Sequence, residues 1–514
     1  GDRLGELYAL NAIANSKSDL AQKGYIRRQA RDLARQIDNR GMISILNNNL
    51  ADFYLRFGLF QRAYVYAQEA VQFQQQSGAR TFLLWSLDTL ANIARETGNF
   101  AHAQQAYARL SERASQADSR LHTAFASAGR GRLALDEGQF DEARVLLETA
   151  VNSFEGASQL EDKVNTLVWL SAAFLARDEL DKALESSAEA MVITAEEDFK
   201  SPNYPLQDLW LMRYRVLTAA ADDTDNNEAW AALDRARLAM FEPIANIGDE
   251  GLRRNYLNKV PANRAISETW AQEATKRRLL LAPFTEREAT PAAVAEQMQR
   301  IVESGARLAS ERDLDKLAEF ILQEFVELSG VERAGVGIRR PGEPLQWAAM
   351  TGIGEDERQE TASMASPIIE RASKMLAPHL VDAVGKTPEG DVPELHLRSA
   401  IALPMISQGK LWGVLYGDMR HLFGRLNEND RDILTLLANQ AYPLQLTVDS
   451  AGAQITINGE LGQPLEGKGL ALDIAMKTDS LGTLSGLAGT ELPALGPIEV
   501  SARLADSDSG YQLE

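Results

Sequence analysis

Four alanines, Ala63, Ala103, Ala143 and Ala183, recur every forty residues, and each follows an aromatic ring or a leucine by three positions: Phe60, Phe100, Phe140 and Leu180. Gly58, Gly98 and Gly138 stand five residues before the first three alanines, and Asp178 takes that place before the fourth. A chain built on this Gly-x-aromatic-x-x-Ala unit must stack copies of one supersecondary element, because a unit so short cannot bury its own apolar face. Such stacks offer a long surface to partners more readily than a catalytic pocket.

Each unit has helical periodicity on both sides of its glycine. In the second, Leu87, Leu90, Ala91 and Ala94 mark one face before Gly98, and Ala103, Ala106, Tyr107 and Leu110 mark one after it. Glycine is expected to take the left-handed position that closes the first helix, and alanine to let the second helix cross closely. Gln76-Ser77-Gly78 and Glu155-Gly156-Ala157-Ser158 turn the chain to the next pair. Residues 23–40 read as the second helix of an earlier unit, and residues 209–240 as a weaker fifth unit. With these motifs, residues 1–240 resemble the tetratricopeptide repeat family in a long-helix form, and HEAT-type repeats of similar period are the competing reading. The resemblance implies an all-α solenoid whose groove holds a protein or peptide segment. Asn47, Asn48, Arg95, Arg130 and Asn165 on first helices are candidates for lining it, with plain solvation as the alternative for each.

The length of 514 residues predicts about three domains at roughly 100 to 200 residues each. A formal net charge of −20 opposes binding to nucleic acid or anionic lipid. Short basic clusters such as Arg27-Arg28 and Lys276-Arg277-Arg278 read as solvated helix faces. With no cysteine there is no disulfide, thiolate metal site or thiol nucleophile. The five histidines, His102, His122, His379, His396 and His421, form no close pair at helix or strand spacing, so no zinc signature arises. No basic-then-apolar leader and no apolar run of about 18 residues is seen, so the chain as given reads as soluble. Its initial glycine suggests an excerpt, which leaves a removed leader or anchor open.

After Trp230 the forty-residue period is lost, and residues 241–289 read as a helical linker, with the boundary at 283–291. Thr290-Pro291 opens a helix with Met298, Ile301, Val302 and Leu308 on its apolar side, and a second runs from about Asp313 to Leu328. The period then changes to that of strands. Ala334–Arg339 and Leu345–Met350 form a hairpin across Arg340-Pro341-Gly342-Glu343, and residues 399–406 pair with 411–418 through Gln408-Gly409-Lys410. Asn427 is the expected N-cap of a closing helix, with Asp430 completing a capping box before Ile433, Leu434, Leu436, Leu437 and Ala438.

Four elements in order carry a resemblance to the GAF family of bacterial sensory domains. They are Leu-Ser-Gly-Val-Glu-Arg at 328–333, Ala-x-x-Leu-Pro-Met at 400–405, Gly-Lys-Leu-Trp-Gly-Val-Leu-Tyr-Gly-Asp at 409–418 and Asn-Asp-Arg-Asp-Ile-Leu at 429–434. The resemblance assigns residues 290–443 to an α+β domain with an antiparallel sheet. It implies a small-ligand pocket between the sheet and its covering helices, lined by Trp347, Met350, His379, His396, Arg398, Trp412, Tyr416 and Asp418. Core filling is the alternative for each tryptophan, and an ordinary surface contact for each histidine. The family also pairs copies through its flanking helices, which implies a possible homodimer. In such architectures the domain regulates a kinase, cyclase or transcription module, and no motif of such an output is visible here. Without cysteine, covalent bilin attachment and thiol-based sulfoxide reduction are excluded, and the sequence identifies neither ligand nor cofactor. Gly335-Val336-Gly337 and Gly482-Thr483-Leu484-Ser485-Gly486 lack the rest of a phosphate-binding fingerprint, and no nucleophile, base and orienter stand together. A non-catalytic, cytoplasmic signalling module is the expectation.

Past Tyr442-Pro443 the composition turns to alternating strands at 446–449, 453–461, 470–476 and 498–504, with a short helix expected at 480–488. Residues 444–514, notably Leu492-Pro493-Ala494-Leu495-Gly496-Pro497-Ile498, resemble a fragment of the AsmA family of bacterial envelope proteins. That resemblance implies lipid transport or outer-membrane assembly and a periplasmic or inner-membrane setting. These sit poorly with a cytoplasmic sensor, so the chain reads as fused or composite, with a natural domain fusion or a coincidental small β-domain as the alternative, and it ends in a small β-rich segment with an open edge strand.

Overall fold

The structure is a computed structural model. It describes the chain apart from residues 1, 18, 78–79, 157–158, 196–204, 222–226, 246, 280–300, 302–313, 340–344, 355, 383–398, 408–409, 421–424, 440–443, 451–452, 464–467, 479, 481–492, 494–495, 508–509 and 514. The chain divides into two units: residues Gly1–Ile247 with Lys259–Ala282, and residues Gly248–Asn258 with Pro283–Glu514.

The first unit is a run of antiparallel helices: α1 (Arg3–Ser16), α2 (Leu20–Gln36), α3 (Arg40–Arg56), α4 (Phe60–Ser77), α5 (Arg80–Glu96), α6 (Phe100–Gln116), α7 (Arg120–Asp136) and α8 (Phe140–Gly156). It continues through α9 (Leu160–Ala176), α10 (Leu180–Ala195), α11 (Leu206–Ala220), α12 (Asn227–Phe241) and α14 (Pro261–Lys276). Helix α13 (Glu250–Lys259) lies between α12 and α14 in the chain.

Within each forty-residue period lies a twenty-residue one. Asp38, Gly58, Gly98, Asp118, Gly138 and Asp178 all have positive φ, between 49° and 75°. Each closes a helix with the same paired bonds: Asn99 N to Ala94 O at 2.9 Å and Gly98 N to Arg95 O at 3.0 Å, repeated at Gln139 to Ala134 and Gly138 to Leu135. This is the Schellman arrangement, which satisfies two of the last carbonyls while reversing the chain. The next residue then starts the following helix, with Asn39 accepting from Met42 N at 3.1 Å and Asn99 from His102 N at 3.2 Å. Glycine avoids the Cβ penalty of the left-handed position, and aspartate is among the few other residues that tolerate it.

The repeat alanines sit where helices approach most closely. Ala63, Ala103, Ala143 and Ala183 have no exposed surface, and the Ala183 carbonyl accepts from Ser171 Oγ at 2.8 Å. Between α7 and α11 a continuous core includes Leu147, Val164, Leu167, Leu170, Phe174, Leu209 and Val216.

In the second unit, α15 (Leu314–Ser329) leads into a five-stranded antiparallel sheet of order β2-β1-β5-β4-β3. Its strands are β1 (Arg333–Ile338), β2 (Gln346–Thr351), β3 (His379–Asp382), β4 (Ser399–Ser407) and β5 (Lys410–Met419). Helix α16 (Arg358–Met375) lies between β2 and β3 in the chain, and α17 (Glu428–Asn439) follows β5. The capping box is present: Asn427 Oδ1 accepts from Asp430 N at 3.0 Å, and Asp430 Oδ2 accepts from Asn427 N at 2.8 Å. The segment read as linker supplies residues Gly248–Asn258 to this unit. The helix expected after Thr290-Pro291 falls almost wholly outside the described residues, as does the Arg340–Glu343 turn.

The same unit ends in an antiparallel meander, β6 (Leu444–Ser450), β7 (Ala453–Gln463), β8 (Lys468–Thr478), β9 (Ile498–Ser507) and β10 (Gly510–Leu513), paired in chain order. The alternating segments at 446–449, 453–461, 470–476 and 498–504 are all strands. The helix expected at 480–488 lies outside the described residues except for Ser480.

A Cβ built on Gly138 meets nothing within 4 Å, whereas on Gly58 it would come to 2.6 Å from Lys259 Cβ. Gly138→Ala should therefore cost only the backbone term of about 1–2 kcal/mol, and Gly58→Ala more. Urea unfolding of the two variants checks this, and equal costs would contradict it.

Candidate functional site

Successive first helices of the repeats carry a connected set of charged and aromatic groups. Arg95 on α5 is buried and ion-paired with both Glu96 and Asp136 of α7. Arg132 on α7 donates to Glu96 Oε1 at 3.1 Å and lies over the Trp169 ring of α9 at 4.8 Å. Tyr107 Oη donates to Asn92 Oδ1 at 2.9 Å. Burial raises the Tyr107 hydroxyl, as it does three carboxyls on these helices. It pushes Asp88 up to about 7, with Asp162 adding repulsion, and Asp162 and Asp208 to about 6. All three side chains keep some exposed surface, so they are crowded by protein on most sides while still reaching solvent.

Of the residues expected to line this surface, Arg95 belongs to the ion-paired set. Asn47 does not reach solvent: it accepts from Arg31 Nε at 2.5 Å and donates to Glu69 at 3.1 Å. Asn48 accepts from Ser86 Oγ at 3.0 Å. Arg130 is 3.8 Å from Glu142 with its side chain 46% exposed, and Asn165 is half-buried.

The second locus is the face of the GAF-like sheet that α16 covers. Residues directly opposite on neighbouring strands share a face, and the register places Arg333, Gly335 and Gly337 of β1 beside Asp418, Tyr416 and Val414 of β5. Ala400 and Ala402 of β4 continue the same row, with Val381 and His379 of β3 beyond them. Met350 and Trp347 of β2 oppose Gly335 and Gly337. Against this face α16 packs Ala365, Ile368, Ile369 and Ala372. The small residues make room for the large ones: a Cβ on Gly335 would come to 2.5 Å from the Trp347 ring.

At one end of the face is a buried polar network. Arg333 Nε donates to Asp418 Oδ1 at 2.8 Å and Oδ2 at 3.1 Å, and its Nη1 donates to Thr361 Oγ1 of α16 at 3.1 Å. Tyr416 Oη donates to Asp418 Oδ2 at 2.9 Å. Burial raises the Asp418 carboxyl against the opposing pull of Arg333, and raises the Tyr416 hydroxyl, with the Asp418 charge adding to it. The His379 imidazole is lowered, first by burial and then by Arg371.

Of the ligand candidates, Trp347, Met350, Tyr416, Asp418 and His379 therefore share one face. Trp412 is placed elsewhere. Met405 pairs with Gly413 and Ile406 with Leu411, so Trp412 is the extra residue of a bulge. Leu411 rather than Trp412 packs on the α16 cluster, and Trp412 is 46% exposed. His396 and Arg398 lie outside the described residues. Sequence reasoning missed Arg333 as a network member and missed Thr361 with the whole of α16. The signal for that helix is Ala365, Ile368, Ile369 and Ala372 at helical spacing, interrupted by Pro367 inside it.

The chain thus combines a helical-repeat unit with an antiparallel sheet that carries helices on both faces. The family model described as "GAF domain" matches residues 311–442, and the chain carries a GAF domain there. Similar solved structures include a Rap protein complexed with competence and sporulation factor, 15% identical over 50% of this chain and 71% of that one, with a TM-score of 0.38. A tetratricopeptide repeat protein from Parabacteroides merdae is 14% identical over 50% of this chain and 98% of that one, at 0.24. The GAF domain of a phosphoenolpyruvate-protein phosphotransferase from Coxiella burnetii is 16% identical over 28% and 89%, also at 0.24. Likenesses at this level say nothing of what the chain binds. No curated protein matches it. The resemblance of residues 444–514 to the AsmA family finds no support among these comparisons.

Two outcomes follow from the charges. An Asp88 carboxyl held near 7 keeps its proton while the unfolded chain loses one above about 4. Its contribution to stability is complete below pH 4, falls through pH 4–7 and is level above that. Asp88→Asn should flatten that part of the melting-temperature profile, and identical pH profiles would refute the assignment. Asp418→Ala strands a buried guanidinium and should cost about 3–5 kcal/mol, against about 1 kcal/mol for Tyr416→Phe, both read by urea unfolding.

Proposed function

We propose that the chain is a non-catalytic signalling module in which the repeats dock a protein or peptide segment and the GAF domain binds a small ligand. What supports the docking reading is the connected row of part-exposed groups on the first helices, Asp88, Asn92, Arg132, Trp169 and Asp208. The sensing reading rests on one observation above the others: Trp347, Met350, Tyr416, Asp418 and His379 come from three strands to a single face beneath α16. The ligand regulates an output supplied by another module or partner, in the cytoplasm, and nucleic acid is disfavoured as a partner by the charge of −20.

A second reading, an interaction scaffold whose GAF domain holds no ligand, is favoured by the direct packing of Ile368 and Ile369 on the Val414 and Tyr416 side of the sheet, with Trp347 against the same cluster. Pairing of two copies through α15 and α17 belongs with this reading. Thermal-shift screening of nucleotides and small metabolites against the full chain separates the two. A ligand at 100 times its dissociation constant should stabilise the domain that holds it by about 2.7 kcal/mol, and the shift should weaken in Tyr416→Phe. A screen without hits, together with a dimer in light scattering that is lost on charge reversal in α15, would select the scaffold.

A further inference from the structure

The GAF domain is completed by a helix that precedes the family match. Helix α13 belongs to the second unit through Asn258, while residues up to Ile247 and from Lys259 belong to the repeat unit. Its hold on the domain is specific. Arg254 is 1% exposed and donates to the Ser329 carbonyl at 3.1 Å, to Asp430 Oδ1 at 2.9 Å and to the Arg425 carbonyl at 2.6 Å. Asn255 Nδ2 donates to the carbonyls of Val326 at 3.0 Å and Glu327 at 3.3 Å. Backbones meet closely: a Cβ on Gly251 would come to 2.2 Å from the Leu328 carbonyl, and one on Gly330 to 2.8 Å from the Gly251 carbonyl. These are close-packed contacts, which switch between discrete arrangements more readily than they stretch.

Two short paths run from Arg254 to the buried network on the α16 face. Along the chain, Ser329 and Gly330 lead within four residues to Arg333, whose guanidinium holds both Asp418 and Thr361, and Glu332 N donates to the Asp418 carbonyl at 2.9 Å. Through the sheet, Ala400 opposes Asp418, its neighbour Ser399 accepts from Leu426 N at 3.1 Å, and Asn427 and Asp430 cap each other before Asp430 receives Arg254. Both paths end on the same guanidinium.

We propose that α13 is the regulatory element of the GAF domain, its docking on α15 and α17 set by the Arg333–Asp418–Thr361 network through Arg254. Arg254 is a positioning residue. The inference rests on the α16 face being the sensing face, but its test needs no ligand, so a failed ligand screen and a failed coupling of α13 to the network are separate results.

The experiment is hydrogen exchange by mass spectrometry on the full chain. Thr361→Val keeps shape while removing the acceptor for Arg333 Nη1, and it should speed exchange over residues 251–258 by about 2- to 30-fold, with peptides of α5–α9 unchanged. Coupling is reciprocal, so Arg254→Lys should loosen α16 over residues 361–372 by a comparable factor. Faster exchange in α16 alone for Thr361→Val, with residues 251–258 at the wild-type rate, would overturn the proposal. Uniform acceleration of the whole GAF domain in both variants would overturn it as well, because α13 would then open only with the entire domain.

Discussion

The repeat unit depends on one backbone conformation recurring every twenty residues. Helices α2, α3, α5, α6, α7 and α9 each end in a left-handed residue whose amide and the next one bond back into the last turn, as at Gly98 and Asn99. Because the reversal spans three residues, helices of seventeen residues such as α5, α6 and α7 repeat with little variation. Equal lengths keep the buried alanines in step, and equal turns keep consecutive first helices adjacent. The bonds from Arg95 to Asp136 and from Arg132 to Glu96 become available only because that registration holds over several units.

In the GAF domain the comparable constraint is the burial of Arg333 and Asp418. A charge pair removed from water needs further partners for its remaining donors and lone pairs. Thr361 and Tyr416 supply them, which fixes α16 over one end of the sheet. The small residues Gly335, Ala400 and Ala402 then allow the Trp347 and Tyr416 rings to lie across neighbouring strands under the helix.

Much of this was legible in the residues. Gly58, Gly98 and Gly138 announced left-handed helix ends, and Asn427 with Asp430 announced a reciprocal cap, because local hydrogen bonding alone determines both. The twenty-residue period was harder to see, since aspartate stands in for glycine at residues 38, 118 and 178. Trp412 was misjudged because strand alternation fails at a bulge, and a bulge depends on two strands rather than one. Thr361 and Arg254 carried no local signal. Their roles come from partners 28 and 176 residues away, so only the folded chain brings them into view.

Helix α13 has a bearing on how such a chain arises. A domain whose fold closes within one continuous stretch can be moved between genes as a cassette, with junctions at its two ends. Here the GAF domain takes a buried arginine from a segment flanked on both sides by repeat-unit sequence. Recombination at the borders of the matched stretch, 311–442, would leave that arginine behind. The repeats and the GAF domain are therefore expected to be inherited as a single piece, and to change together.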